Sequence, residues 1–208
     1  MNTRGASDRQ PGIPAGSERR RGAGADWQDP WPVRGIAQGE PTPSPAVDAL
    51  LAEGFRTAFD CTPIPEDADV YQDHLNNTAA VRIFNDVRIA YVATHLTPDW
   101  PRYVRREGRS VAVRELHVRY DSEGWMHEHY VCGMRYAQRR GKGAIIEQCL
   151  LEQATARPLA RAWMVHLFVQ GGGAIEWPDW FWEMVAQVEG GPVPQIGSGP
   201  RAPWGPPE

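Results

Sequence analysis

Lysine is almost missing from this chain. Of its 22 basic residues only Lys142 is lysine, and the other 21 are arginine. So one-sided a choice matches a GC-rich coding sequence, and arginine content alone therefore carries no functional message. Cysteine is scarce too. Cys61, Cys132 and Cys149 are an odd, widely spaced set without a CxxC pair, which excludes a disulfide framework and a thiolate zinc site and points to buried free thiols. No apolar run approaches the roughly 18 residues of a membrane helix, and the N-terminus has no apolar centre like that of a secretory signal. A cytoplasmic protein with no membrane partner is expected. A strong charge of one sign is also lacking. Within the net charge of −4, residues 46–81 carry −6, 82–143 carry +5, 144–189 carry −4 and the two ends together +1. A basic middle between acidic neighbours falls short of the one-sided excess of a nucleic-acid binder. Nucleic acid is thus kept only as a weak alternative partner.

Glycine and proline are plentiful, 21 and 19 residues, and most of the prolines lie at the two ends of the chain. Residues 1–45 and 190–208 are expected to be disordered extensions around one folded domain, 46–189.

Ser44-Pro45 before Val47, Leu50, Leu51 and Phe55 predicts a short capped helix. An extended stretch over 55–64 leads into a loop containing Glu66-Asp67-Ala68-Asp69. Asn76-Asn77-Thr78 offers three capping side chains in succession. Ala80, Ile83, Phe84, Val87, Tyr91 and Thr94 then follow at helical spacing as far as Pro98. Residues 101–109 read as irregular. Alternation predicts strands over 110–120 and 125–137, separated by Asp121-Ser122-Glu123-Gly124. Residues 144–153 would suit a helix or a strand, and the turn signals on either side favour the strand. Another strand over 159–170 stops at Gly171-Gly172-Gly173, and Trp177, Trp180, Phe181, Met184, Val185 and Val188 make an amphipathic C-terminal helix. One long helix with about five antiparallel strands is an α+β domain.

The run Asp67-Ala68-Asp69-Val70-Tyr71-Gln72-Asp73-His74-Leu75-Asn76-Asn77, in that order of elements, resembles the hotdog-fold acyl-CoA thioesterases of the 4-hydroxybenzoyl-CoA thioesterase type. Their Asp-x-Asp loop, His-Val-Asn-Asn-Ala core and helix arginine correspond here to Asp67 and Asp69, to His74-Leu75-Asn76-Asn77-Thr78, and to Arg88. The likeness extends over about residues 55–182. Three departures stand out: one extra residue between Asp69 and His74, Asp73 where the family has glycine, and Asn85-Asp86 for the usual acidic pair. The resemblance implies a sheet wrapped around a central helix, a homodimer or homotetramer, and hydrolysis of an acyl-CoA or acyl-carrier-protein thioester with no cofactor and no metal.

That chemistry needs a carboxylate beside an attacking water and donors for the developing oxyanion. A helix start supplies unpaired amides and the positive end of a dipole. Asp69 is the expected general base or nucleophile, with Asp73 as rival, and His74 and Asn77 would orient water, carboxylate or thioester. Asn76, Thr78 and Arg88 are expected at the substrate, and Arg139, Arg140 and Lys142 at the coenzyme A phosphates, together with Arg102, Arg105 and Arg106. A hotdog protein that binds acyl thioesters without cleaving them is the alternative. Gln138-Arg139-Arg140-Gly141-Lys142-Gly143 also fits the pyrophosphate loop of GNAT acyltransferases, provided a helix follows Gly143. His127 and His129, with His117 on the neighbouring predicted strand, could suggest a metal site; surface or cross-strand histidines are the better reading.

Overall fold

The computed structural model of the chain describes residues 33–196. Ser44 caps α1 (Pro45–Ala52) by accepting from the Val47 amide, and Pro45 occupies the first turn, where no amide hydrogen is needed. β1 (Thr57–Cys61) follows. The long helix α2 (Asn77–Tyr91) starts at the Asn76 cap and passes into a π turn over Val92–Leu96 that ends before Pro98. The stretch expected to be irregular contains a short helix, α3 (Trp100–Arg106). Then come β2 (Arg109–Tyr120), β3 (Tyr130–Arg140), β4 (Gly143–Glu152) and β5 (Pro158–Gln170). β6 (Gly173–Ile175) folds back on β5, and α4 (Asp179–Glu189) and β7 (Gln195–Ile196) complete the order.

The main strands lie in the order β1-β3-β4-β5-β2 and are antiparallel throughout. Residues 144–152, readable from the sequence either way, are therefore extended. The structured chain also runs wider than the expected 46–189. Ile36 bridges Cys61 of β1, Thr42 donates to Asp60 through its amide and hydroxyl, and β7 pairs in parallel with Arg139 and Arg140. The rest of the two expected extensions, 1–32 and 197–208, lies outside the described residues.

One face of the sheet holds α2. Ala79, Ala80, Ile83, Phe84, Val87, Ala90 and Tyr91 turn inward from that helix, and burying a side chain such as Phe84 or Ile83 stabilises the fold by about 1.5–3 kcal/mol. The opposite face is covered by α1, where Leu50 and Phe55 pack on Val131, Cys149 and Leu151. Beyond the C-terminal half of α2, the inner face is closed by aromatics: Trp100 stacks on Trp177 at 6.2 Å, and Phe168 lies 5.2 Å from Trp177. The three cysteines are buried free thiols, with burial pushing Cys149 up to about 12. Among the described residues, no helix is long and apolar enough to cross a membrane.

Candidate active site

The Asp-rich loop folds into a small hairpin whose base is clamped to the start of α2. The Asp69 amide donates to the His74 carbonyl at 2.9 Å, and Ala68 bridges Leu75. Asn76 locks this hairpin to the helix. Its Nδ2 donates to the carbonyls of Glu66 and Ala68, and its Oδ1 accepts from the amides of Thr78 and Ala79 and from the Thr78 hydroxyl. Asn76 and Thr78, expected at the substrate, form the cap of α2 in the structure.

Of the first amides of α2, that of Asn77 has no partner among the described residues. Asn77 is exposed, and its carbonyl accepts from the Tyr120 hydroxyl at 2.6 Å, which fixes the peptide chain at this point. The outcome is one orphan N–H at the positive end of a 15-residue helix.

The three aspartates of the loop separate clearly. Asp67 is buried and forms a two-pronged ion pair with Arg82 at 2.7 and 2.6 Å, while also accepting from the Ile64 amide. It is a clamp. Asp69 is half-buried, and its Oδ1 accepts from the Tyr71 amide at 2.8 Å, leaving Oδ2 as the oxygen without a hydrogen bond. Asp73 is exposed at the hairpin tip, where its carbonyl accepts from Met126. His74 turns Nδ1 to the Leu75 carbonyl and lies edge-on to Trp125 at 6.2 Å.

The connection between β2 and β3 presses on this hairpin. The Leu75 amide donates to the Gly124 carbonyl. A Cβ on Gly124 would lie 2.9 Å from Leu75 Cδ1 of the hairpin and 2.5 Å from Leu159 Cδ2 of β5, so the absence of a side chain lets the connection pack this closely on both. The connection is held by Glu128, which pairs with Arg157 at 2.7 Å and accepts from the Tyr130 hydroxyl. Sequence reasoning missed Arg82, Tyr120, Glu128, Tyr130 and Arg157. Arg82 reaches Asp67 from the second turn of α2, and the other four come from strands and turns far along the chain that the sheet brings near the hairpin.

The sequence model of the thioesterase-like superfamily matches residues 64–185, from the hairpin into α4. The chain belongs to this superfamily. Solved structures agree on the hotdog fold of this thioesterase-like protein. A Thermus thermophilus thioesterase complexed with coenzyme A and zinc is 21% identical, with 68% of this chain and 99% of that one covered at a TM-score of 0.57. A Staphylococcus aureus hypothetical protein in complex with coenzyme A is 14% identical, with 71% and 88% covered at 0.58. The 1,4-dihydroxy-2-naphthoyl-CoA thioesterase of Synechocystis is 8% identical, with 62% and 93% covered at 0.57. No curated protein sequence matches the chain significantly.

The remaining expected residues of this thioesterase-like chain do not meet the hairpin. Arg88 lies eleven residues beyond Asn77, about 16 Å along the helix. Arg139, Arg140 and Lys142 sit at the opposite end of the sheet, around the β3–β4 turn. There the Arg139 guanidinium lies 4.5 Å over the Trp182 ring, and Lys142 donates to the Ala174 carbonyl. The pyrophosphate-loop reading fails, because Gly143 opens a strand rather than a helix. His117 packs against Trp163 and His127 against Trp125. Among the described residues, no three His, Cys, Asp or Glu side chains converge as a metal site.

Proposed function

We propose that the protein hydrolyses an acyl thioester of coenzyme A or of a carrier protein, with Asp69 as general base or nucleophile and the Asn77 amide polarising the thioester carbonyl. The observation that supports this most directly is the hairpin, which ties the Asp69 backbone to His74, three residues before that unpartnered amide. In this reading Asp69 Oδ2 takes a proton from a water that attacks the carbonyl carbon, the C–S bond breaks and the thiolate leaves. Alternatively, Oδ2 itself attacks and expels the thiolate, and water then hydrolyses the acyl-aspartyl anhydride. Negative charge growing on the carbonyl oxygen falls to the Asn77 N–H and the helix dipole. A lost oxyanion donor costs about 2.7–4 kcal/mol of barrier stabilisation. Asp67 has no part in it, being neutralised by Arg82.

A second copy completes the proposal. β2 is the edge of the sheet, and Val113, Leu116 and Tyr120 on it are exposed. Antiparallel pairing of two such edges brings the start of one β2, with Arg106 and Arg109, beside the end of the other, where Tyr120 holds the Asn77 carbonyl. The coenzyme A phosphates are then met by arginines of the neighbouring subunit.

The test is thiol release over a panel of acyl-CoAs. Asp69→Asn is expected to lower kcat at least about a hundredfold, while Asp73→Asn stays within a few-fold of the parent. Loss in Asp73→Asn with an unchanged Asp69→Asn would move the chemistry to the hairpin tip. The binding-only alternative draws on the Tyr71 amide, which already engages one Asp69 oxygen. It would be upheld by tight acyl-CoA binding with no thiol release from any member of the panel.

A further inference from the structure

The turn between β4 and β5, Glu152-Gln153-Ala154-Thr155-Ala156-Arg157-Pro158, takes no part in the chemistry proposed above, yet its backbone is strained. Ala156 is the one non-glycine among the described residues with a left-handed backbone, at φ 59°, which its Cβ disfavours. Glu152, 7% exposed, holds the turn in shape. Its carboxylate accepts from the amides of Ala154 and Thr155 at 2.8 and 2.7 Å and from the Thr155 hydroxyl. Its own amide donates to the Arg157 carbonyl at 2.9 Å. What this frame presents is the side chain of Arg157, the residue after the strained one.

Arg157 uses both arms of its guanidinium. Nη2 donates to Glu128 Oε1 and Oε2 at 2.7 and 2.8 Å, and Nη1 donates to Ser122 Oγ at 2.8 Å and to the Glu123 carbonyl. All three partners lie on the connection between β2 and β3. Glu128 passes the hold along it, since its Oε2 accepts from the Trp125 amide at 3.1 Å. The buried Tyr130 hydroxyl adds to this, at 2.6 Å from the Trp125 amide and 2.7 Å from the Trp125 carbonyl. One arginine thus gathers residues 122, 123 and 128 and, through Glu128, residue 125.

Trp125 and its neighbours continue the hairpin as a small ribbon. Ala68 bridges Leu75 and His74 bridges Trp125, both antiparallel, so segments 67–69, 74–76 and 124–126 lie side by side. The Asp69 amide donates to the His74 carbonyl at 2.9 Å, the Leu75 amide to the Gly124 carbonyl at 2.8 Å and the Met126 amide to the Asp73 carbonyl at 3.4 Å. The first segment carries Asp69, the second runs directly into α2 at Asn77, and the third is the one Arg157 holds. Packing at the tip cannot place the hairpin, because Val70 and Tyr71 there are 88% and 91% exposed. It is held instead from two sides, by Arg82 on Asp67 and by Arg157 through the connection.

We propose that Arg157 is a positioning residue for the candidate active site: through Glu128 and the 122–128 connection it fixes the separation of the Asp69 carboxylate from the Asn77 amide. This role rests on the thioester reading above. The fork matters as much as the charge. A lysine ammonium placed on Glu128 has no second arm for Ser122 and the Glu123 carbonyl. A carboxylate displaced by about 1 Å from its working position costs up to about a hundredfold in rate, and the loss falls on kcat rather than on ground-state binding.

Thiol release and amide exchange, both on the full chain, test this separately. Arg157→Met is expected to lower kcat for acyl-CoA at least about tenfold, with KM within about threefold of the parent. Arg135→Met, which breaks an ion pair on the outer face of the sheet, is expected to leave kcat within about twofold. In an Asp69→Asn background, adding Arg157→Met is expected to change the residual rate by less than about twofold, since it acts through that carboxylate. An unchanged kcat in Arg157→Met, an equal fall in Arg135→Met, a full further fall in the double variant, or parent activity in Arg157→Lys would each overturn the proposal. Amide exchange reads the hairpin whether or not the chain cleaves a thioester. The Asp69 and Leu75 amides are expected to exchange at least about tenfold faster in Arg157→Met, with those of Phe84 in α2 and Met134 in β3 unchanged. Faster hairpin exchange beside a parent that releases no thiol would sink the hydrolase reading while upholding the hold of Arg157 on the hairpin. Unchanged exchange at Asp69 and Leu75 would overturn the role even where thiol release is brisk. Should Arg157→Met not fold, Glu128→Gln, which removes the ion pair but keeps an acceptor for the Trp125 amide, takes its place with the same expected outcomes.

Discussion

The two faces of the same sheet treat their polar side chains in opposite ways. On the outer face Arg135 places two nitrogens on Glu147 at 2.9 and 2.6 Å, and Arg161 reaches Glu147 at 3.3 Å and Glu53 at 2.7 Å. The Arg135 guanidinium also lies 4.5 Å over the Phe55 ring. On the inner face Arg88, Gln148 and His166 each keep an orphan atom. The strands are shared, so the strand chemistry cannot account for the difference. What differs is the cover. α1 ends in Glu53 and so brings a carboxylate to its face, whereas α2 offers Gln148 only the Phe84 carbonyl and gives Arg88 only Asn85. The chain itself pairs the polar groups of one face, and on the other it leaves three side-chain atoms without a partner among the described residues.

The largest break in this comparison comes from the paired face. Glu147→Leu removes the carboxylate shared by two arginines and leaves Arg135 with the Glu53 carbonyl and the Phe55 ring. Breaking a buried pair from one side costs about 3–5 kcal/mol, and the lower end applies because both arginines keep some contact with water. Urea denaturation measures it. A loss below about 1 kcal/mol would mean that the outer pairs behave as surface pairs and that the contrast between the faces is weaker than drawn.

The unpaired face should reveal itself through pH. Burial first, then the Arg88 charge, pushes His166 down from 6.5 to about 3. Its folded pKa is depressed, so below about pH 6.5 the unfolded chain takes up a proton that the folded chain refuses. The stability tied to His166 is whole above that pH and is lost progressively as pH falls toward 3. At pH 4 the loss is on the order of 3 kcal/mol. His166→Phe should remove this part of the acid dependence, seen as a smaller drop in unfolding free energy between pH 7.5 and pH 4 than in the parent. Parallel profiles for the two proteins would show that His166 protonates freely in the folded state.

Removing a charge from the inner face should act with the opposite sign from Glu147→Leu. Arg88 has no carboxylate partner to leave stranded, and burial already pulls its pKa below the usual arginine value. Arg88→Met exchanges a half-buried cation without an ion-pair partner for an apolar side chain of similar length, with an expected gain of less than about 1 kcal/mol. A lower Tm would mean that Arg88 has a stabilising partner in solution, and the argument from its solitude would fall.

The sequence made the frame of this arrangement legible where a local rule sufficed. Asn76 and the 3.6-residue spacing marked α2, and turn signals on both sides identified β4. Helix α3 escaped because Pro101 and a length of seven residues look like punctuation; in the first turn, however, proline costs no hydrogen bond. The hairpin residues were legible as residue types, but their division of labour was not. Asp67 and Asp69 look alike in the motif, and only Arg82, fifteen positions away, turns the first into a clamp. The alternation of β5 put His166 on the face of Ala162 and Met164 without saying what lay above it. A strand pattern specifies which side a residue is on; whether its polar atoms find partners depends on a helix from elsewhere in the chain.

The smallest substitution, one added methyl group, tests how tightly the paired face is built. Gly133 on β3 admits Leu50 and Phe55 so closely that an added Cβ would lie 2.7 Å from Leu50 Cδ2 and 3.0 Å from Phe55 Cδ1. Both atoms are side-chain carbons, and the Leu50 methyl can turn aside. Gly133→Ala should therefore shift α1 slightly and cost about 1 kcal/mol by overpacking. On the inner face Ala162 is the counterpart, a fully buried small residue of β5 paired with Val118 of the edge strand. Ala162→Val should likewise cost about 1 kcal/mol of stability, but it should also raise KM for long acyl-CoAs more than for short ones, a response Gly133→Ala lacks. Equal KM effects from the two substitutions would remove this distinction between the two faces.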